Sequence, residues 1–350
     1  MIYLDNAATS FPKPEAVYCA VERCMRTFAA NPGRSGHKLA LQAGREIYLT
    51  REAAAELFHV SDPFRMIFTA NATESLNLAL KGILQPGDHV ITSSMEHNSV
   101  LRPLSALKEH GIMVTIVPCT RQGSLEPEAV RAAIQSNTRL IAVTHASNVT
   151  GTIMPVKEIM EMARDRQILL LLDASQTAGI LDIDLAECPV DLLAAPGHKG
   201  LLGPQGTGLL YIREGLHLKT MKEGGTGSRS EELTQPELIP DRYESGTLNT
   251  PGIVGLGAGI QYVKSHRAQI QERETQLTRF FLEELKKVKD VILYGADDVS
   301  APRTGVVSLN IGDLDSCEAA CRLDQEFDIC TRPGLDRKST RLNSSHITIS

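Results

Sequence analysis

The sequence lacks a surplus of positive charge. Its 36 basic residues are outnumbered by 42 acidic ones, giving a net charge of −6 with His neutral. A general binder of a phosphate backbone carries a basic patch, so nucleic acid is excluded as the expected partner. Long hydrophobic runs are missing too. The longest candidate, Ile168 to Leu172, is strand-sized and ends at Asp173. A membrane helix needs roughly 20 apolar residues, so no membrane partner is expected. The first residues, MIYLDNAATS, contain no basic stretch followed by an apolar one, and a cytoplasmic location is the expectation. The seven cysteines form no C-x-x-C pair and no zinc-like spacing, so no metal site is expected. They read as small buried hydrophobes in a reducing compartment. No internal repeat is evident. With 42% hydrophobic and 22% charged residues, the composition excludes a disordered, collagen-like or disulfide-scaffold protein. A chain of 350 residues can bury a sizeable core and is expected to form about two domains.

Short apolar runs alternate with helical stretches between about residues 60 and 215. The runs are RMIFTA, DHVITSS, MVTIVPC, RLIAVTHA, ILLLLDA, DLLAAP and GLLYI. Among them lie TESLNLALKGIL, VLRPLSALKEHG, EPEAVRAAIQ and VKEIMEMARDRQ. This alternation predicts an α/β fold with a mostly parallel sheet covered on both faces. In such sheets ligands collect beyond the carboxyl ends of the strands. A Gly/Thr/Ser/Pro-rich stretch, Gly224 to Pro251, interrupts the pattern, and a long helix follows over roughly Val254 to Lys289. Two further strands, VVSLNI and FDICT, flank a helical SCEAACRLDQ. The domain boundary is placed near residue 250.

Four segments carry candidate chemistry. In TANATE, a strand leads through Asn71, a good N-cap, to a helix with Glu74 at the capping-box position. The free N–H groups of that helix start and the Thr73 hydroxyl would suit a phosphate. Asp173 closes the most apolar strand and needs a cationic or hydrogen-bonding partner; a pyridinium nitrogen or a helix cap would each serve. Lys199 sits in a glycine-dense loop, APGHKGLLGPQGTG, where a Schiff base with an aldehyde and a plain surface lysine are both open. His97, just past a strand, could stack on a flat ring or move protons, or be a satisfied loop histidine.

Taken in order, YLDNAATS at 3–10, TANATES at 69–75, MEHNS at 95–99, SNVTG at 147–151, LDASQTAG at 172–179, APGHKGLLGPQGTG at 195–208 and YESGTLN at 243–249 make a pattern. The chain resembles the class V aminotransferase family of pyridoxal-phosphate enzymes, and within it the cysteine desulfurases, from residue 2 to about 335. The resemblance implies the fold type I architecture. A seven-stranded, mostly parallel sheet flanked by helices would form a large domain over 15–250. A smaller α+β domain would span 251–335, with residues 1–14 as an arm packing on it. It also implies a homodimer, pyridoxal 5'-phosphate as cofactor, L-cysteine or a related amino acid as substrate, and a sulfur-acceptor protein as a further partner, as in iron–sulfur cluster assembly. By resemblance Lys199 holds the cofactor as a Schiff base and moves the substrate α-proton. Asp173 pairs with the pyridinium nitrogen, and Gln176 donates to the phenolic oxygen. His97 stacks on the ring and shuttles protons. Ala72, Thr73 and His198 contact the phosphate, Thr247 contacts the phosphate of the partner subunit, Asn148 lies beside cofactor and substrate, and Arg332 holds the substrate carboxylate. Pro196 departs from the pattern, replacing a phosphate-binding serine with a residue that offers neither hydroxyl nor N–H.

A second departure concerns sulfur. Relatives read Arg-x-Gly-x-His-Cys, whereas this chain reads Arg332-Pro333-Gly334-Leu335 and then Asp336-Arg337. Position 337 is where the sulfur-accepting cysteine is expected. Cys317, Cys321 and Cys330 read as structural. The closing stretch RKSTRLNSSHITIS is polar, aperiodic and free of acidic residues. It reads as an unstructured terminus, or as a non-native tail over 336–350 that resembles an adapter or vector read-through. The small domain would then be incomplete, the chain would bind cofactor poorly, and it would release little sulfide. Other class V activities, such as a selenocysteine lyase, aminotransferase or epimerase, and a non-catalytic cofactor-binding scaffold are the alternatives.

Overall fold

The computed structural model describes residues 1–32, 36–229, 231–296, 298, 301–335 and 345–349. The chain opens with β1 (Ile2–Tyr3), α1 (Glu15–Thr27) and α2 (Lys38–Leu57). Then follow β2 (Met66–Thr69), α3 (Ala72–Ile83), β3 (His89–Ser93), α4 (Asn98–Lys108), β4 (Met113–Val117), α5 (Pro127–Ala132) and β5 (Thr138–Thr144). Next come α6 (Val156–Asp165), β6 (Leu169–Asp173), β7 (Leu192–Pro196), β8 (Gly208–Ile212) and α7 (Thr250–Leu285). The chain continues through β9 (Val291–Tyr294), β10 (Val307–Ile311), α8 (Ser316–Phe327), β11 (Ile329–Cys330), β12 (Arg332–Leu335) and β13 (Ser345–Ile349).

The seven apolar runs become one seven-stranded sheet in the order β2-β8-β7-β6-β5-β3-β4. Pairings β3–β4, β3–β5, β5–β6 and β6–β7 are parallel, whereas β8 runs antiparallel to both β2 and β7. Six strands therefore point the same way and present their carboxyl ends along one edge. Period-two alternation sorts the side chains. Leu170, Leu172, Ile141 and Val143 join the core packed by α2, α6 and the start of α7. Leu169, Leu171, Leu140 and Ala142 join the core packed by α3 and α4. Burial on both faces is why β6 can be the nearly unbroken leucine run LLLLD. Each such leucine contributes about 1.5–3 kcal/mol.

A four-stranded sheet in the order β12-β13-β10-β9 and the two-stranded pair β1-β11 complete the described strands. The first part of α7 is deeply buried, through Ile253, Val254, Leu256, Ile260 and Val263, and near its end Leu282 is buried as well. Its later turns carry the charged face. A buried ion pair ties the first half of the chain to the segment before α7. Arg51 of α2 and Glu244 are each 4% exposed and pair at 2.7 Å. The same carboxylate accepts the Phe68 N–H at 2.7 Å.

The structure differs from the sequence expectations in three respects. The helices α1 and α2 and the strand β9 had no clear signal among the apolar runs. The final run of the large sheet, β8, is reversed, which the βα alternation does not announce because no helix separates β7 from β8. Residues 345–349 of the closing stretch, expected to be unstructured, form β13, which pairs with both β10 and β12. The Ser308 and Thr348 hydroxyls lie 3.0 Å apart across that ladder. The rest of the stretch, including Arg337 at the expected cysteine position, lies outside the described residues.

Candidate functional site

A cavity of about 430 Å³ opens beyond the carboxyl ends of the same-direction strands, where ligands collect in α/β sheets. All of these strands but β4 supply it, at their carboxyl ends or through the loops that follow. After β2 come Asn71, Ala72 and Thr73; after β3, His97 and Ser99; after β5, Ala146 and Asn148; after β7, His198 and Lys199. The strand β6 ends in Asp173 itself, followed by Ser175 and Gln176. The N-terminal arm adds Asp5, Ala7 and Ala8, and the far end of the chain adds Arg332, Gly334 and Thr348. Pro196 is in the wall. Every sequence-predicted site residue thus lines one cavity except Thr247, which is not part of its wall in this chain.

The α3 start is built as its sequence suggests. Asn71 Oδ1 accepts the Glu74 N–H at 2.9 Å. The reciprocal arm is shifted by one residue, because Glu74 Oε2 accepts from Ala70 rather than from the cap residue. Thr73 Oγ1 lies 2.7 Å from Ser99 Oγ. Ser99 in turn fixes His97, whose Nδ1 accepts the Ser99 N–H at 3.1 Å. An accepting Nδ1 leaves Nε2 as the protonated nitrogen of the neutral ring.

Asp173 is 3% exposed. Its Oδ1 accepts from the Ser175 N–H at 3.0 Å and from the Ser175 hydroxyl at 2.5 Å. No basic side chain among the described residues forms an ion pair with it. A turn follows rather than a helix, so the capping alternative for this carboxylate is not realised. Gln176 Nε2 donates to the Ala7 carbonyl at 3.1 Å.

The lysine loop is held by close backbone packing. Gly179 has φ of +86°, and a Cβ there would collide with the Gly200 carbonyl. The arm reinforces the loop: Ser10 donates from its N–H and its hydroxyl to the His198 carbonyl, both at 3.1 Å. Thr9 Oγ1 lies 3.0 Å from His198 Nδ1. Lys13 Nζ donates to the His198 carbonyl at 2.8 Å. Burial lowers the Lys13 ammonium to a pKa of about 8. Burial, then Lys199 and Lys13, lowers His198 to about 4, so its ring is neutral at pH 7 and acts as a dipole rather than a cation. Arg332 is raised, first by its hydrogen bond to Asp5.

Asp5, Ser99 and Ser175 were not picked out as site residues from the sequence. The signal for Ser175 is its place directly after the strand-closing acid. Ser99 had one too, two residues past the candidate histidine. Asp5 carried none of its own, since its partner is more than 300 residues away. None of the seven cysteines lines the cavity. Cys330 instead donates to Asp324 at 3.7 Å, and burial raises its thiol pKa, which keeps it a thiol rather than a nucleophilic thiolate. Among the described residues there is no cluster able to hold a metal ion and no helix long and apolar enough to cross a membrane.

The profile of the class-V aminotransferases matches residues 2–343. A probable cysteine desulfurase of Methanothermobacter thermautotrophicus is 35% identical over 341 residues, covering 95% of this chain and 84% of the relative. A cysteine desulfurase of Yersinia pestis is 33% identical over 345 residues, covering 95% and 83%. The apo structure of the cysteine desulfurase from Thermococcus onnurineus superposes with a TM-score of 0.94 at 30% identity, covering 100% of this chain and 89% of that one. The fold, the order of the site segments and these relatives together establish that the chain belongs to the class-V aminotransferase family, as a cysteine desulfurase-like member.

Proposed function

We propose that this chain binds pyridoxal 5'-phosphate through Lys199 and uses it to activate the α-carbon of L-cysteine. The observation that carries the reading is the meeting of Lys199 with an ion-pair-free, 3%-exposed carboxylate, Asp173, in one cavity. A carboxylate buried without a cation is costly, and a protonated ring nitrogen supplies the missing partner. The rest of the donor set fits the same group. The α3 N-terminus with Ala72 and Thr73, beside the neutral His198, suits the phosphate, with Pro196 contributing shape only. Gln176 offers an N–H to the phenolic oxygen, Asn148 is placed for cofactor and substrate, and His97 presents a flat, oriented ring. Thr247 would act in a second subunit's site, so a homodimer is part of the proposal, with division near residue 250 into a cofactor domain and a smaller one.

When bound, the cofactor supplies an electron sink that lets a bond at the substrate α-carbon break. The protein does the rest. Arg332 and Asn148 orient the substrate through its carboxylate. Lys199 Nζ would hold the cofactor and, as a free amine, would take the substrate α-proton. Asp173, oriented by Ser175, keeps the ring nitrogen protonated. His97, with its proton on Nε2, would stack on the ring and shuttle a proton. The final sulfur transfer requires a thiolate, and no cysteine stands at the cavity wall. Sulfide release by this chain is therefore expected to be slow, with sulfur leaving to an external thiol or acceptor protein. That same observation favours, as a second reading, a class V activity that needs no enzyme thiol.

The test separates the cofactor half from the sulfur half. The protein loaded with pyridoxal phosphate is incubated with L-alanine, the product amino acid, in heavy water. Loss of the Cα–H signal by NMR is the expected outcome, abolished in Lys199→Ala. No exchange by the loaded wild-type protein would sink the proposal.

A further inference from the structure

The arm and the far end of the chain meet through one ladder. β1 pairs with β11 in parallel, placing Ile2 opposite Ile329 and Tyr3 opposite Cys330. The register runs on, since the Leu4 N–H donates to the Cys330 carbonyl at 2.9 Å. Continued by one more residue, it carries Asp5 to the level of Arg332, the first residue of β12. There the two side chains form a fork. Arg332 Nε donates to Asp5 Oδ1 at 2.9 Å, and Nη2 donates to Oδ2 at 2.8 Å. A guanidinium has five N–H groups in one plane. Asp5 takes two of them along the side edge. Both N–H groups of Nη1 and the second of Nη2 carry no hydrogen bond among the described residues. One N–H of Nη1 and the second of Nη2 form the end edge, a second fork of the shape that matches a carboxylate. Asp5 and Arg332 both line the cavity.

We propose that Asp5 is a positioning residue that holds Arg332 by its side edge and so keeps the end edge ready for the α-carboxylate of the substrate. This rests on the reading that Arg332 receives that carboxylate. Two effects of Asp5 oppose each other. Its negative charge repels a second carboxylate on the same guanidinium, while its grip removes rotamer freedom that an arginine otherwise loses on binding. Solvent decides between them. The Arg332 side chain is 57% exposed, so water and salt screen the repulsion, whereas conformational freedom is not screened. The anchor therefore outweighs the charge, and binding weakens when it is removed.

The experiment titrates the pyridoxal-phosphate-loaded protein with L-alanine and with ethylamine, which has an amine but no carboxylate, and follows the cofactor absorption band. Asp5→Asn is expected to weaken L-alanine binding about ten-fold while leaving ethylamine unchanged. Asp5→Glu, which keeps the charge, recovers part of the loss. Arg332→Ala tests the underlying reading: if it leaves the ratio of the two affinities as in the wild type, that reading fails. If Arg332→Ala weakens L-alanine alone but Asp5→Asn leaves it unchanged or tighter, only the positioning proposal is overturned. Equal loss of both ligands in Asp5→Asn also overturns it, since that marks general damage to the arm.

Discussion

Asp173 illustrates how much at the residue scale turns on a single charge. Asp173→Asn keeps the shape and can still accept from Ser175 at the same oxygen. It cannot stabilise a proton on a ring nitrogen. The expected outcome is retention of the cofactor with a fall in L-alanine α-proton exchange of about 100-fold or more, measured by NMR. His198 gives a pH signature. Its folded pKa of about 4 lies below the ordinary 6.5, so between those values the unfolded chain binds the extra proton. Stability is then full above about pH 6.5 and is lost as pH falls toward 4. Thermal unfolding of the cofactor-free protein should show this decline, and His198→Asn should reduce its slope by about one proton. An unchanged slope would mean the ring is not held neutral.

Elements are held to one another by fewer, stronger contacts. The Arg51–Glu244 pair joins α2 to the segment before α7, and the same glutamate caps the β2 backbone at Phe68. Glu244→Gln leaves a buried guanidinium uncompensated and should cost about 3–5 kcal/mol, read as a lowered urea midpoint. Replacing both partners by apolar residues should recover much of that loss. At this scale the sequence was legible where burial imposes period two or a βα alternation. All seven strands of the large sheet and the helices α3 to α6 follow from it. What could not be read depends on distant partners. The reversal of β8 is decided by its neighbours β2 and β7, β9 is a strand by pairing with β10, and β13 by pairing with β10 and β12. Of the site, Asp173, His97 and the α3 start were visible because each ends a strand or opens a helix, and Lys199 because it lies in a glycine-dense loop just past one. The Asp5–Arg332 fork was not, because it arises from a ladder between opposite ends of the chain.

For the whole molecule, one edge of one sheet gathers the chemistry, and the two chain ends close over it. The arm reaches His198, Lys199, Gln176 and Arg332 through separate hydrogen bonds. The lysine loop, the acid at the end of β6 and Arg332 are thereby held around a single cavity. The account stands or falls on Lys199. The most direct measurement is to incubate the protein with pyridoxal phosphate, reduce it with borohydride and map the added mass by peptide mass spectrometry. The account predicts one pyridoxyl group on the peptide containing Lys199, absent in Lys199→Arg. Labelling of a different lysine, or none, would contradict it.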